Sequence, residues 1–361
     1  MRILCFIDSL GSGGAQRQLV NLGIGFKERG HDVSFLTYHH EDFYVNVIIN
    51  NAIKYTCIEE ANLVKRLLKI RKFIRSGNYD VVISFLEAAV FMSEIAGFPF
   101  KNWKLIVGER SANPNIFKSV KLRLYRWCHF FADHVVANSH ENIDIIAKIN
   151  PLLPKSKYKV IYNMIDANIW APSVRYIPNN GKLTNIVIVA SHQYLKNLKG
   201  VIEGVNMLSI ENKNKIHISW YGRKCVDGSY EEAQVLVDKY RLKPIFSFYD
   251  ATSDILEKMQ NADAVGLFSF YEGLPNVICE AMAVGKPVVV TPVSDLPILI
   301  KENGIICKSS NPDAIASALN SFLELNLDQR KEMGLALRRY AIELFSKEHI
   351  LDKYEELMKS N

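Results

Sequence analysis

The sequence of 361 residues lacks two features that would define its class at once. Its six cysteines form no Cys-x-x-Cys pair and no cluster with metal-ligand spacing, so we interpret them as scattered, reduced core residues. No apolar run approaches the roughly 18 residues of a membrane-spanning helix. The first run, residues 3–7, ends at Asp8 and is too short for a secretory signal peptide. These absences argue against a disulfide-rich or membrane-spanning protein, and we expect a cytoplasmic chain.

What is present is the composition of an ordinary globular protein, with 48% apolar and 23% charged residues. The chain is longer than one hydrophobic core usually grows, so we expect two domains. It has neither an internal repeat nor a low-complexity segment. The formal net charge of +6 suits anionic partners, including an anionic membrane surface, and does not require nucleic acid.

Short β-branched runs alternate with helical patterns in two consecutive series. The first series comprises residues 2–7, 32–36, 80–84, 104–107, 134–137 and 159–162. The second comprises residues 185–190, 215–220, 245–248, 264–268, 287–291 and 304–307. Between the two series, Pro172, Pro178 and an Asn-Asn-Gly turn break regular structure. The pattern predicts an α/β protein with two parallel sheets covered by helices: a domain over 1–165, a linker over 166–184 and a domain over 185–345.

The most informative segment, residues 270–287, places two carboxylates, Glu272 and Glu280, on either side of seven residues. The turn after the first acid and the start of the following helix consist of Gly273, Leu274, Pro275, Asn276 and Val277. Backbone N–H groups at a helix start can hold an anion such as a diphosphate. A carboxylate further along the helix repels that anion but accepts hydrogen bonds from sugar hydroxyls. The segment therefore predicts a nucleotide-sugar site, against the alternative of a helix start with two incidental surface acids.

Together with the following residues 285–291, this segment closely resembles the E-x7-E motif of retaining glycosyltransferases of family four. The resemblance extends over nearly the whole chain. It implies the GT-B fold, in which two Rossmann-like parallel-sheet domains face each other across a cleft. It also implies a C-terminal helix over 346–361 that packs back towards the N-terminal domain.

Relatives of this type build bacterial surface polysaccharides, so the resemblance implies a reaction and an acceptor. It implies a retaining hexosyltransferase that uses a nucleoside diphosphate sugar, with UDP the favoured nucleotide. The implied acceptor is a polyprenyl-diphosphate-linked glycan in O-antigen, capsule or similar assembly. Such an acceptor implies a peripheral location at the inner face of the cytoplasmic membrane.

The resemblance also implies roles for individual residues around the donor. Glu280 would hold the ribose hydroxyls, and Glu272 would hold the donor sugar. Lys196 matches a family lysine that neutralises the donor diphosphate, whereas the arginine that precedes this lysine in the family falls near Ser191 here. Either Lys196 and backbone amides suffice to neutralise the diphosphate, or Arg223 takes the place of the missing arginine. The alternative to a site role is that Lys196 is an ordinary solvated lysine on the surface.

In the first domain, residues 11–16 resemble the Gly-Gly loop of the family, which faces the donor diphosphate and the acceptor. Gly13 and Gly14 carry that role here, the alternative being a tight turn. A dinucleotide-binding loop of an oxidoreductase is disfavoured because Gln16 stands where its third glycine would be. Glu109 and Arg110 close the fourth strand, where many relatives carry a histidine. We predict an active-site role for this pair, with a surface ion pair as the alternative.

No metal and no other cofactor is expected. The Asp-x-Asp motif, with which transferases of the other common fold bind a divalent ion, does not occur in the sequence. The nine histidines show no pair at i,i+4 with a third ligand, and we interpret them as ordinary surface or cleft residues. Ser294 and Asp295 stand where relatives often have two glycines, which puts a backbone contact from that loop to the donor in doubt.

Residues 63–75 and 117–131 predict two amphipathic helices with strongly basic faces. We expect their apolar stripes to pack on the sheet. The basic residues are Lys65, Arg66, Lys69, Arg71, Lys72, Arg75, Lys118, Lys121, Arg123 and Arg126. These side chains form either a solvated surface or a docking face for anionic lipid, which attracts a basic residue by about 1 kcal/mol.

Two other functions share most of these features and stay open at the level of sequence. A nucleotide-sugar 2-epimerase has the same architecture but releases free monosaccharide without an acceptor. A non-catalytic nucleotide-sugar-binding protein would bind the donor and transform nothing.

Overall fold

The computed structural model describes residues 1–111, 114–173 and 183–360. These residues form two compact units. Unit 1 comprises Met1–Met164 and Lys347–Asn361, and unit 2 comprises Ile165–Ser346. Of the linker predicted over 166–184, residues 174–182 lie outside the described residues. Unit 1 is thus completed by a segment that follows unit 2 in the sequence.

Unit 1 is built on a seven-stranded parallel sheet. Its strands are β1 (Arg2–Phe6), β2 (Asp32–Thr37), β3 (Lys54–Cys57), β4 (Val81–Phe85), β5 (Lys104–Glu109), β6 (His134–Ala137) and β7 (Tyr158–Val160). Their order across the sheet is β3-β2-β1-β4-β5-β6-β7. Successive side chains of a strand point to opposite faces. Ile3 and Cys5 therefore belong to one core cluster, and Leu4 and Phe6 belong to the cluster on the other face.

Unit 2 is built on a six-stranded parallel sheet. Its strands are β8 (Thr184–Val189), β9 (Ile216–Tyr221), β10 (Phe246–Tyr249), β11 (Ala264–Leu267), β12 (Val288–Val290) and β13 (Ile305–Ile306). Their order is β10-β9-β8-β11-β12-β13, so β8 and β11 are neighbours at the centre. Because all strands are parallel, the loops that follow them lie at one edge of the sheet.

Helices cover both faces of each sheet, as a parallel sheet requires. In unit 1 they are α1 (Gly14–Glu28), α2 (Val45–Asn50), α3 (Leu63–Ser76), α4 (Glu87–Gly97), α5 (Val120–Trp127) and α6 (His140–Ile149). In unit 2 they are α7 (Leu198–Asn206), α8 (Ile210–Lys213), α9 (Ser229–Lys239), α10 (Ile255–Gln260), α11 (Asn276–Val284), α12 (Leu296–Ile300), α13 (Pro312–Glu324) and α14 (Leu327–Phe345). The last helix, α15 (Lys347–Lys359), belongs to unit 1 and contributes Ile350, Leu351 and Tyr354 to its core.

The two predicted parallel-sheet domains are confirmed, with one additional strand in unit 1. Strand β3 was not predicted, and its four residues Lys-Tyr-Thr-Cys are exposed or partly buried. This strand lies at the edge of the sheet and pairs only with β2. A short strand with one neighbour carries too few apolar residues to be distinguished from a loop.

The prediction of one helix over 117–131 is wrong in the length of the helix and in the face that it turns towards the sheet. Short 3-10 turns at Pro114–Phe117 and Cys128–Phe131 flank α5, which is only eight residues long. The apolar stripe that was expected to pack on the sheet is exposed at Val120, Leu124 and Trp127. The buried residue of α5 is instead Arg126, which the sequence analysis placed on the basic outer face.

The helix predicted over 63–75 behaves as an ordinary amphipathic helix. In α3, Ile70 and Ile74 are buried against the sheet, as expected, although Leu63 in the first turn is exposed. Two histidines interpreted as surface or cleft residues are fully buried, and that interpretation is therefore wrong for them. His129 lies in a network of charged side chains, and His192 lies among aromatic rings.

Candidate functional site

The carboxyl edge of the unit 2 sheet brings Lys196 and Glu272 together. Lys196 lies in a 3-10 turn after β8, and Glu272 lies in the loop after the neighbouring strand β11. The Nζ of Lys196 lies 2.5 Å from Oε1 of Glu272, and Ser269 Oγ donates to the same oxygen at 2.6 Å. Both charged side chains are only partly exposed, at 16% and 14%. The structure thus pairs two residues that the sequence placed 76 positions apart.

The turn that carries Lys196 is anchored by its neighbour Asn197. This residue has a left-handed backbone with φ of 61°, and its side chain accepts a hydrogen bond from the Gly200 N–H at 3.1 Å. Asn197 is buried and also donates to the Ser310 carbonyl at 2.9 Å. Because asparagine tolerates the left-handed conformation and caps helices well, this position both ends the turn and starts α7.

The loop with Glu272 leads directly into α11. Pro275 is the N-cap residue, and the first turn of α11 contains no acidic side chain. The positive end of the helix dipole is therefore not neutralised by an acid of its own first turn. Glu280 lies one turn further along and is buried, with 5% exposure. The helix ends at Gly285, whose φ of 76° suits glycine at this position.

Ser294 links the loop after β12 to the same segment. Its hydroxyl donates to the Gly273 carbonyl, and its φ is 53°. A left-handed conformation favours glycine, which gives a physical reason for the glycines that the family often carries here. No contact was predicted for this position from the sequence, whereas in the structure it contacts the loop that contains Glu272 and Gly273.

A cavity of about 240 Å³ lies at the same edge of the sheet, on the other side of β8. It is lined by Val189, Ala190, Ser191, Tyr221, Gly222, Arg223, Ala251, Thr252 and Ile255. Ser191 and Arg223, which the sequence analysis considered together, therefore lie at one cavity. A Cβ on Gly222 would come within 1.9 Å of the Ala190 carbonyl oxygen, so only glycine allows these two loops to approach this closely.

In unit 1, Glu109 at the end of β5 lies in a buried network of charges. Its Oε2 accepts from Arg126 Nη2 at 2.8 Å, and its Oε1 lies 3.1 Å from His129 Nε2. The other ring nitrogen of His129 lies 2.7 Å from Glu94. Arg126 also approaches Glu87 at 3.5 Å. Both oxygens of Glu109 are therefore used within unit 1.

Burial and ion pairing act in opposite directions on this network. Burial by itself raises the pKa of Glu109, but Arg126 and His129 outweigh it and lower the pKa to about 2. Burial lowers the pKa of His129, but Glu94 and Glu109 outweigh it and raise the pKa to about 9. Burial dominates at Glu94 and raises its pKa. Glu109, Arg126 and His129 are thus held charged near neutral pH.

Arg110 is also bound within unit 1. Its guanidinium lies over the Phe85 ring, with 3.8 Å to the ring centroid, and donates to the Tyr354 hydroxyl at 2.6 Å. A second bond reaches Asn163 at 3.3 Å. Sequence spacing gave no sign of these partners, because Tyr354 is 244 residues away on α15.

The loop that contains Gly13 and Gly14 starts α1 in a setting with two acids. Gly13 is the N-cap residue, and the first turn of α1 contains no acid. Asp8 accepts hydrogen bonds from the Ser9 N–H and, at 3.1 Å, from Gln16 Nε2. Burial raises the pKa of Asp8. Glu41 accepts from the Ser9 hydroxyl at 3.0 Å. Neither acid was predicted from the sequence to lie at this loop.

Comparison with known proteins gives one consistent result for the two units. The model of Glycosyltransferase Family 4 matches residues 12–169, and the model of Glycosyl transferases group 1 matches residues 175–340. A protein of Haemophilus influenzae named as an uncharacterized glycosyltransferase is 24% identical over 94% of this chain and 96% of its own length.

A second relative has a more specific name. It is the Campylobacter jejuni α-1,4-N-acetyl-D-galactosaminyltransferase whose name gives a GalNAc-GalNAc-diNAcBac glycan on PP-undecaprenol as its substrate. Its identity is 22%, over 78% of this chain and 77% of its own length. Among solved structures, Anabaena HepE in complex with UDP matches with a TM-score of 0.87 and 18% identity over 100% of both chains. With the two matched family models and this shared fold, the chain belongs to the family-four type of glycosyltransferases with the GT-B fold.

Proposed function

We propose that this glycosyltransferase is a retaining hexosyltransferase that uses a UDP-sugar bound at the carboxyl edge of the unit 2 sheet. The observation that carries the proposal is the Lys196–Glu272 ion pair, which lies immediately before the start of α11. A cation, a carboxylate and an acid-free helix start offer partners for a diphosphate and for sugar hydroxyls. The names of the Anabaena structures, which contain UDP and UDP-glucose, support this donor class.

The donor would extend along the edge of the sheet. The nucleobase would enter the cavity lined by Ser191 and Arg223, and Glu280 would accept from the ribose hydroxyls. Gly273, Leu274 and Pro275 in the loop before α11, together with Asn276 and Val277 in its first turn, would surround the diphosphate. Glu272 would accept from the donor sugar through the carboxylate oxygen that neither Lys196 nor Ser269 contacts.

Lys196 would act most strongly while the donor bond breaks. As the bond between the anomeric carbon and the diphosphate oxygen lengthens, negative charge grows on the diphosphate, and a fixed cation stabilises that charge. The acceptor oxygen would bond to the anomeric carbon on the same face, and its proton would pass to the departing phosphate oxygen. This scheme needs no covalent intermediate on the protein.

The acceptor proposal is a polyprenyl-diphosphate-linked glycan in O-antigen, capsule or similar assembly. Its support is the printed substrate of the Campylobacter relative. Gly13 and Gly14 would face the acceptor and the diphosphate, and Glu109 and Arg110 keep their predicted active-site role. Because Glu109 and Arg110 are bound to other residues of unit 1, they would act by shaping the end of β5.

Such an acceptor places the enzyme at the inner face of the cytoplasmic membrane. In the described part of the chain, no helix combines the length and the apolar character that crossing a membrane requires. A peripheral association through basic side chains of the first domain would be electrostatic and would weaken as salt rises. These side chains are Lys65, Arg66, Lys69, Lys72, Lys118, Lys121 and Arg123.

Transfer without a metal ion is part of the proposal. Within the described residues, no three His, Cys, Asp or Glu side chains are grouped to hold a metal. Lys196 and the dipole of α11 would supply the positive charge that a divalent ion supplies elsewhere. We expect full activity in excess EDTA; loss on chelation that magnesium or manganese restores would overturn this part.

The decisive experiment combines UDP-sugars with a polyprenyl-diphosphate-linked glycan and separates the products. Extension of the glycan with retained anomeric configuration supports the proposal. Free monosaccharide without acceptor would identify a 2-epimerase, and binding without any product would identify a non-catalytic protein. A thermal-shift panel of nucleoside diphosphates chooses the donor base, since a ligand at 100 times its Kd stabilises by about 2.7 kcal/mol.

A further inference from the structure

Helix α5 presents its apolar face to solvent. Val120, Leu124 and Trp127 follow the spacing of one helix face, and the turn before α5 adds Phe117. Val120 is 79% exposed and Leu124 is 56% exposed. A surface helix ordinarily buries such a face against its own domain. In α5 this face is left uncovered by the described residues.

An arginine holds this helix in place. Arg126 is fully buried and reaches Glu109 at the end of β5 and Glu87 at the start of α4. The following turn adds His129, which contacts Glu94 and Glu109. The inward side of the helix is therefore fixed by Arg126 together with Leu122, which packs against Ile116, Ile145 and Ile149, and Tyr125, which stacks on Phe91 with 4.6 Å between ring centroids. None of these contacts uses the exposed apolar face.

The uncovered surface continues beyond α5. Phe131 packs edge-to-face against Phe98 with 5.4 Å between ring centroids, and Phe130 lies 6.4 Å from Trp127. Phe100, in the loop before β5, is 81% exposed. Five of the seven exposed phenylalanines in the described part of the chain belong to this surface, namely Phe98, Phe100, Phe117, Phe130 and Phe131. A concentration of this kind marks an interaction surface.

Charge decides which partner fits the surface. Lys118, Lys121 and Arg123 are exposed along the same segment, and residues 114–131 contain no aspartate or glutamate. Aromatic and aliphatic side chains on one face with cations beside them are typical of helices that lie in a lipid interface. The cations complement anionic headgroups, and the tryptophan suits the interfacial zone.

We infer that α5 and its two flanking turns insert into the interface of an anionic lipid bilayer. The inference rests on the membrane part of the proposed function and deepens it, because apolar contact replaces simple electrostatic attraction as the main contribution. Binding should therefore persist in part at high salt, where attraction through exposed lysines alone would be screened. The surface lies directly next to the charge network at the end of β5, so insertion would place that strand end close to the headgroups.

The test measures cosedimentation with phosphatidylcholine vesicles that contain or lack phosphatidylglycerol, at low and high salt. Val120→Asp combined with Leu124→Asp should lower partitioning by at least about tenfold, since each aspartate removes an inserted apolar side chain. Val235→Asp is the matched control, because Val235 is also an exposed apolar residue on a helix, α9 of unit 2. This control should partition as the wild type does.

A second readout uses lipids brominated near the headgroup. They should quench tryptophan fluorescence of the wild type, and Trp127→Phe should abolish the quenching while vesicle binding continues. Trp103 and Trp220 are buried and Trp170 is only partly exposed, so loss of the quenching in Trp127→Phe assigns the signal to Trp127. Equal partitioning of the double variant and the wild type would overturn the inference. So would a wild-type dimer that the double variant dissociates without loss of vesicle binding, because a second copy would then cover the face.

Transfer assayed in parallel with a soluble acceptor analogue separates the two proposals. If the double variant keeps this activity but loses vesicle binding, the insertion surface is supported. If the wild type transfers sugar to no acceptor while the double variant still loses vesicle binding, the transferase proposal fails and the insertion surface stands.

Discussion

Glu109 and Glu272 both lie at the carboxyl edge of a parallel sheet, but their surroundings differ. Glu109 uses both carboxylate oxygens within a closed, buried network. Glu272 receives Lys196 and Ser269 on Oε1 alone and lies immediately before the start of a helix. The first arrangement satisfies the acid completely, whereas the second leaves acceptor capacity for an incoming hydroxyl. The role of an acid at a strand end therefore depends on the side chains that contact it.

Glu109→Ala should have the largest effect, and the effect should be on stability. Removing this acid leaves the buried Arg126 with Glu87 alone at 3.5 Å and the buried His129 with Glu94 alone. The loss of the shared carboxylate costs about 3–5 kcal/mol in unfolding free energy. Hydrogen exchange of β5 and chemical denaturation measure the loss. Glu211→Ala removes an exposed acid paired with Lys215 and should change neither measurement. Unchanged stability with lost activity would instead give Glu109 a direct role in the reaction.

Lys196→Ala should lower turnover by about 10²–10³-fold, because a preorganised positive group aimed at developing charge is lost. KM for the donor should change much less, since charge on the diphosphate grows only as the bond breaks. Steady-state kinetics with the intact donor separates the two parameters. Lys199→Ala, which removes an exposed neighbour paired with Glu232, should retain wild-type kinetics. Wild-type turnover in Lys196→Ala would shift the role to Arg223 or to backbone N–H groups.

Glu280→Gln should weaken UDP binding by about 1.5–3 kcal/mol, because ribose hydroxyls lose a charged acceptor. Glu272→Gln should leave UDP affinity near the wild-type value while lowering turnover and changing the choice of donor sugar. Calorimetric titration with UDP compares the two variants directly. An equal loss of UDP affinity in both would contradict the division of roles between the two acids.

The stability of unit 1 should fall at both ends of the pH range. The pKa of Glu109 is lowered from 4.5 to about 2, so its stabilisation is present above pH 4.5 and is lost as pH falls through 2. The pKa of His129 is raised from 6.5 to about 9, so its stabilisation is present below pH 6.5 and is lost as pH rises through 9. Hydrogen exchange of β5 across this range measures both losses. Glu109→Gln should remove the acid loss, and its persistence would assign that loss to other carboxylates.

Much of the fold and part of the site could be predicted because the relevant signals are local. The alternation of strands and helices predicts both parallel sheets. In a parallel sheet, every loop that follows a strand lies at the same edge. The position of Glu272 after the fourth strand of the second series followed from that rule. The structure adds that Lys196 contacts Glu272 and that Ser191 and Arg223 share a cavity.

The remaining features depend on residues that are far apart in the sequence. The stripe of α5 was recognised correctly as one helix face, but periodicity does not state whether protein, water or lipid covers that face. Arg126 lies on the buried side of α5, where it contacts Glu109, 17 positions earlier in the sequence. His129 was misjudged for the same reason, because its partner Glu94 is 35 residues away.

The contribution of α15 to the core of unit 1 has a consequence for synthesis on the ribosome. Ile350, Leu351 and Tyr354 complete a core that begins with β1, and Tyr354 packs edge-to-face on Phe26. At about 5–20 residues per second, translation of unit 2 delays these residues by roughly ten to forty seconds. During that interval the nascent first unit exposes the apolar side of α1, where chaperones or premature association would act. The second unit in the sequence can therefore reach its native state first.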